Sequence, residues 1–158
     1  MAYLVWQEDL NTGIQIIDDQ HKRIVAMINL LIHANENNHS REEVGEVLAE
    51  LVDYTLSHFA FEEALLEEAG YAFTRPHKRV HEIFTGRVSE FNMRFQAGED
   101  VTQELINLLS RWLFNHIRND DKAYAQTVKN NIKHLTEDKH PSGWFSRSFR
   151  RFFGDAHA

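Results

Sequence analysis

The chain has 158 residues, 42% of them hydrophobic and 26% charged, which suits one globular domain and excludes a disordered chain. No apolar run approaches the roughly 20 residues that cross a bilayer, and MAYLVWQEDL has no basic leader, so a cytoplasmic protein is expected. A net charge of −7 argues against nucleic acid as a partner, and zero cysteines exclude disulfides, thiolate metal sites and a cysteine nucleophile.

With 7 Gly and 2 Pro, long regular elements are expected. An irregular N-terminal arm runs to about Ile17, where Asp18 and Asp19 offer N-caps for a helix reaching about Asn35. Asn37, Asn38 and His39 break it. Ser40-Arg41-Glu42-Glu43 reads as a capping box for a second helix, which ends near Glu68 with Gly70 just beyond. Thr74 caps a third helix with Pro76 in its first turn, and Ala97-Gly98 closes it. Asp100 or Thr102 starts a fourth, which reaches about Leu135 with an irregularity at Asn119-Asp120. His140-Pro141-Ser142-Gly143 then sets off a tail, so the chain divides into residues 1–135 and a linker and tail over 136–158. In the tail Trp144, Phe145, Phe149, Phe152 and Phe153 share half a helix wheel opposite Arg147, Arg150 and Arg151. Such a short amphipathic helix suits folding back on the bundle or on a second subunit, or a weak contact of residues 144–153 with an anionic membrane surface.

The apolar positions repeat at helical spacing. They are Ile17, Ile24, Ile28 and Leu31 in the first helix, and Val44, Leu48, Leu51, Thr55, Leu65 and Leu66 in the second. Val80, Phe84, Val88, Phe91 and Phe95 follow in the third, and Leu105, Leu108, Leu109 and Trp112 in the fourth. Four amphipathic helices joined by short loops predict an all-α fold, an up-down-up-down antiparallel four-helix bundle.

Polar residues interrupt these stripes at matching levels. His21 lies between Ile17 and Ile24, His58 and Glu62 precede Leu65, His77 and His81 precede Phe84, and His116 is one turn beyond Trp112. A bare imidazole or carboxylate is costly to desolvate at such inward positions. Both pairs have i, i+4 spacing, so each shares one helix face. Asp121 follows His116 by five residues, about 140° round an ideal helix, and joins the set only if the helix is locally distorted. In an antiparallel bundle the starts of odd helices and the ends of even ones lie together, so all seven residues converge on one layer. By contrast His33, His39, His134, His140 and His157 fall off the stripes or in loops. Seven ligands are too many for one zinc ion but suit two metals with bridging carboxylates. Imidazole-rich ligation favours iron, with zinc, manganese and cobalt as competitors.

These segments resemble the hemerythrin family: Asp18-Asp19-Gln20-His21, His58-Phe59-Ala60-Phe61-Glu62-Glu63, His77-Lys78-Arg79-Val80-His81, and Trp112-Leu113-Phe114-Asn115-His116 leading to Asp121. Trp6 is similar to the aromatic that precedes the first helix in that family. The resemblance implies a non-heme di-iron centre that reversibly binds O2. One iron would take His77, His81 and His116, and the other His21 and His58. Glu62, Asp121 and an oxo or hydroxo group would bridge them, with the two-His iron open to O2. Phe59, Trp112, Ile17, Ile24 and Leu66 are candidates for an apolar wall, for which ordinary core packing is the alternative.

The expected role is non-enzymatic storage, delivery or sensing of O2, with a reductase or an O2-consuming enzyme as possible partner. A di-iron oxidase or peroxidase is the alternative, although such bundles use carboxylate-rich sets with Glu-x-x-His pairs, whereas five of these seven candidates are histidine. A redox- or NO-sensing module is the third reading.

Overall fold

The computed structural model describes residues 3–137, so the expected amphipathic tail lies outside the described residues. The arm carries a short 3-10 turn, Glu8–Leu10, and is followed by α1 (Gln15–Glu36), α2 (Arg41–Ala69), α3 (Thr74–Gln96) and α4 (Thr102–His116). A π turn, Ile117–Asp121, then leads into α5 (Lys122–Glu137). The interrupted α4–π–α5 rod serves as the fourth helix, so the described residues form the expected antiparallel four-helix bundle.

Local chemistry explains the boundaries. Ser40 Oγ accepts a hydrogen bond from the Glu43 N–H, which caps α2, and Gly70 ends that helix at φ 66° in the left-handed region. Two expected caps act differently. Ile14, not Asp18 or Asp19, stands at the N-cap of α1. The buried Asp18 carboxylate instead accepts from Thr12 N and Thr12 Oγ1, both at 2.8 Å, and from Gly13 N at 3.0 Å, so it fastens the loop that delivers the chain to α1. Phe73 stands at the N-cap of α3, and Thr74 Oγ1 donates to the Tyr71 carbonyl at 2.6 Å, bracing the turn before the helix.

Two buried clusters make the core. The larger spans the bundle from Ile28, Leu31 and Leu48 to Leu105 and Leu109, while Ile17, Phe61, Leu65, Leu66, Tyr124 and Val128 pack at the other end. Phe91, Leu108 and Trp112 are half-buried and flank this core, and Val80 is half-buried. The arm is tied across the bundle. Leu4 exchanges hydrogen bonds with the Asn29 side chain at 2.8 and 2.9 Å, and Arg118 on the π turn donates to Asp9 Oδ2 at 2.8 Å. Among the described residues no helix is long and apolar enough to cross a membrane.

Candidate metal centre

The layer where the two clusters meet holds seven polar side chains. His21, His58, Glu62, His77, His81, His116 and Asp121 are all buried, and Glu62 and Asp121 have no exposed surface. α1 supplies His21, α2 supplies His58 and Glu62, and α3 supplies His77 and His81. His116 ends α4, and the π turn brings in Asp121. There the Lys122 N–H bonds the Ile117 carbonyl, an i→i+5 closure that adds one residue to the turn. The extra residue swings Asp121 to the face that carries His116, which an uninterrupted α-helix would not allow.

The carboxylates sit between two groups of imidazoles. Glu62 Oε1 lies 2.6 Å from His77 Nε2 and 3.3 Å from His81 Nε2, while its Oε2 lies 3.2 Å from His58 Nε2. Asp121 Oδ1 lies 3.1 Å from His116 Nε2 and 3.2 Å from His77 Nε2, while its Oδ2 lies 3.0 Å from His21 Nε2. Each carboxylate therefore shows one oxygen to the three-histidine group and the other to the two-histidine group. Donor atoms about 2.1 Å from a shared ion and at right angles are about 3 Å apart, which matches these separations.

Hydrogen bonding accounts for only part of the arrangement, with His77 Nε2 bonded to Glu62 Oε1 at 2.6 Å. His21 Nε2 and both Asp121 oxygens are buried without a hydrogen-bond partner, although they face one another at contact distance. Buried polar atoms are otherwise almost always satisfied. The His81 and His116 Nε2 atoms also meet at 3.0 Å. Lone pairs directed at shared space rather than at donors fit a cation, and two groups among the described residues are suited to hold one: Glu62, His77, His81, His116 and Asp121, and His21, His58 and Glu62.

Electrostatics agree. Burial pushes the His21 and His77 imidazoles down, but Asp121 and Glu62 outweigh it and hold both at about 9. For His116, burial is opposed by Asp121 and Asp120, and the result is about 10. Burial prevails at His58 and lowers it. Burial would raise Glu62, yet the imidazoles of His58, His21 and His77 hold it well below the usual carboxylate range, and Asp121 is lowered too. Without a cation the two buried anions are thus compensated by protons on imidazole, which a metal would displace.

Three surrounding residues escape a sequence reading. Gln20 Oε1 accepts from His58 Nδ1 at 2.6 Å, Asp120 Oδ2 accepts from His116 Nδ1 at 2.7 Å, and the Tyr124 hydroxyl donates to Glu62 Oε2 at 3.0 Å. Gln20 carries a usable signal, since it lies on the stripe between Ile17 and Ile24, and Asp120 stands at i+4 from His116. Of the expected wall, Phe59 stacks on His81 with centroids 3.9 Å apart and Trp112 stacks on His116 at 4.3 Å. Ile17, Ile24 and Leu66 are buried. His33 and His39 are exposed, away from the layer.

Residues 12–128 match the family model described as the hemerythrin HHE cation binding domain. The chain belongs to the hemerythrin family. It is 63% identical over 154 residues to a bacteriohemerythrin of Pseudomonas paraeruginosa, covering 98% of this chain and 100% of that one. A bacteriohemerythrin of Methylococcus capsulatus is 36% identical over 127 residues, covering 79% and 96%. A crystal structure of wild-type hemerythrin superposes with a TM-score of 0.76 at 34% identity, covering 80% of this chain and 98% of that one. The layer described above holds the two groups among the described residues that are suited to a metal ion, in keeping with the cation binding named for that family.

Proposed function

We propose that this hemerythrin is a non-heme di-iron protein that binds O2 reversibly, with His77, His81, His116, His21 and His58 holding two irons bridged by Glu62 and Asp121. Residues 1–135 are the O2-binding domain in this reading, and 136–158 an appended segment. The observation that carries it is the division of each buried carboxylate between a three-histidine and a two-histidine group. The unequal groups leave the two-histidine position short of ligands, and so open to a small molecule. Its relatives' name, bacteriohemerythrin, supports the same ligand.

The iron pair, when bound, supplies the electrons and the open position that reversible O2 binding requires. The chain's own residues do the rest. Neutral imidazoles hold the metals without the further anionic donors that favour high oxidation states, which sets the site apart from carboxylate-rich oxidases. Phe59, Trp112, Ile17 and Leu66 keep water from the layer. Tyr124 holds Glu62 by a hydrogen bond. Metal analysis of ligand variants tests the assignment. Wild type and His33→Ala should hold two irons per chain and His77→Ala and Glu62→Ala far less, whereas equal iron in all four contradicts it.

A further inference from the structure

The imidazoles around the layer are not supported alike from behind. His58 Nδ1–H donates to the neutral amide oxygen of Gln20, while His116 Nδ1–H donates to the carboxylate of Asp120 at 2.7 Å. On α3, His81 Nδ1 is 3.9 Å from Glu63, beyond hydrogen-bonding distance, and has no partner. A carboxylate behind a ligating imidazole fixes its tautomer and raises its donor strength. Asp120 reaches His116 at i, i+4 spacing and the π turn adds Asp121 at i+5, so the two carboxylates meet the same ring, one at each nitrogen.

We propose that Asp120 is a positioning residue that directs His116 Nε2 into the site and, through its charge, makes the three-histidine position the more electron-rich of the two. The assignment rests on the di-iron reading of the layer. Its physical basis is that a short N–H···O⁻ bond is about twice as strong as a neutral one and shifts negative charge onto the ring. That charge stabilises a trivalent ion more than a divalent one, so it lowers the reduction potential of the metal on that side. Gln20 does not do this for His58. The two positions therefore differ in electronic support as well as in ligand number, with the better-supported ion on the side away from the open position. The Asp120 carboxylate is 42% exposed, so its replacement leaves the core packed.

Two variants separate charge from orientation. Asp120→Asn keeps an oxygen that can accept from His116 but removes the charge, and Asp120→Ala removes both. The first measurement is the midpoint potential of the iron-loaded full chain, read spectrophotometrically with its iron content. Asp120→Asn should keep its iron and shift its midpoint potential upward, by about 59 mV for each tenfold gain in preference for the ferrous state. Asp120→Ala should show that shift and also release iron faster to a chelator. The second measurement is zinc affinity of the metal-free full chain by chelator competition, where Asp120→Asn should weaken binding about tenfold. Unchanged potential in Asp120→Asn with iron retained, or unchanged zinc affinity, overturns the proposal. A wild type that binds zinc tightly but takes up no iron contradicts the iron reading instead, and the zinc measurement then decides Asp120 alone.

Discussion

Removing the metals should reverse the pH dependence of this protein's stability. In the metal-free chain His21 and His77 hold protons up to about 9 and His116 up to about 10, against an ordinary value near 6.5, because two buried carboxylates outweigh the cost of burial. A group whose folded pKa is raised adds stability that is fully present below its unfolded pKa and is lost as pH rises through the folded one. The window therefore runs from about 6.5 to about 9 for His21 and His77, and to about 10 for His116. One buried imidazole moved from 6.5 to about 9 is worth about 3 kcal/mol, and each proton held only by the folded state tilts stability by about 1.4 kcal/mol per pH unit. The three imidazoles share the same two carboxylates, so their contributions overlap, and about 3 kcal/mol is the expected loss across the window. For a domain of this size that is about 6–12 °C in melting temperature. Few other groups interfere. The chain has no cysteine, Glu62 and Asp121 titrate far below the window, and the lowered His58 acts only beneath it. In the loaded protein metals replace those protons, so loading and stability should rise with pH over the same range and fall in acid. Urea unfolding of both forms between pH 6 and 9.5 measures the two slopes. A metal-free protein whose stability is flat or rises from 6.5 to 9 would refute the charge balance drawn here.

Tyr124→Phe removes only the hydroxyl that donates to Glu62 and should cost about 1.5–3 kcal/mol in denaturant unfolding of metal-free protein. Asp18→Ala strips three acceptor contacts from the loop before α1 and should cost about 2–4 kcal/mol by the same assay, with faster proteolysis near Thr12. Gly13→Ala should cost about 1–2 kcal/mol, since Gly13 sits at φ +84° where an L side chain is strained and the added carbon meets the end of Lys129. Phe59→Ala opens the ring stack over His81 and should cost about 3–5 kcal/mol, with faster oxidation of reduced iron-loaded protein in air.

Much of this was legible in the chain because each helix has a plain apolar stripe and each stripe is broken at one level. His21, His58, Glu62, His77, His81 and His116 all read as inward from spacing alone. Asp121 did not, since five residues after His116 is about 140° away on an α-helix. The π turn resolves this. It also explains why Tyr124 was missed, because eight residues from His116 is about 80° out of phase until the extra residue is absorbed. Asp18 was legible as a capping residue, but its carboxylate serves the preceding loop, because the Thr12 and Gly13 N–H groups reach it while α1 has already begun at Gln15. Asp120 was hidden by its own character: an acid beside another acid reads as surface, and only the hydrogen bond to His116 gives it another role.

The central claim is that an iron pair in this layer binds O2 and lets it go. The most direct measurement is the visible spectrum of fully reduced, iron-loaded protein through repeated cycles of air and inert gas, with iron and hydrogen peroxide assayed alongside. The account predicts a colourless reduced protein with two irons per chain that colours in air and bleaches again when O2 is removed, without stoichiometric peroxide. Irreversible oxidation at the first exposure, or steady O2 consumption with peroxide release in the presence of a reductant, would contradict it.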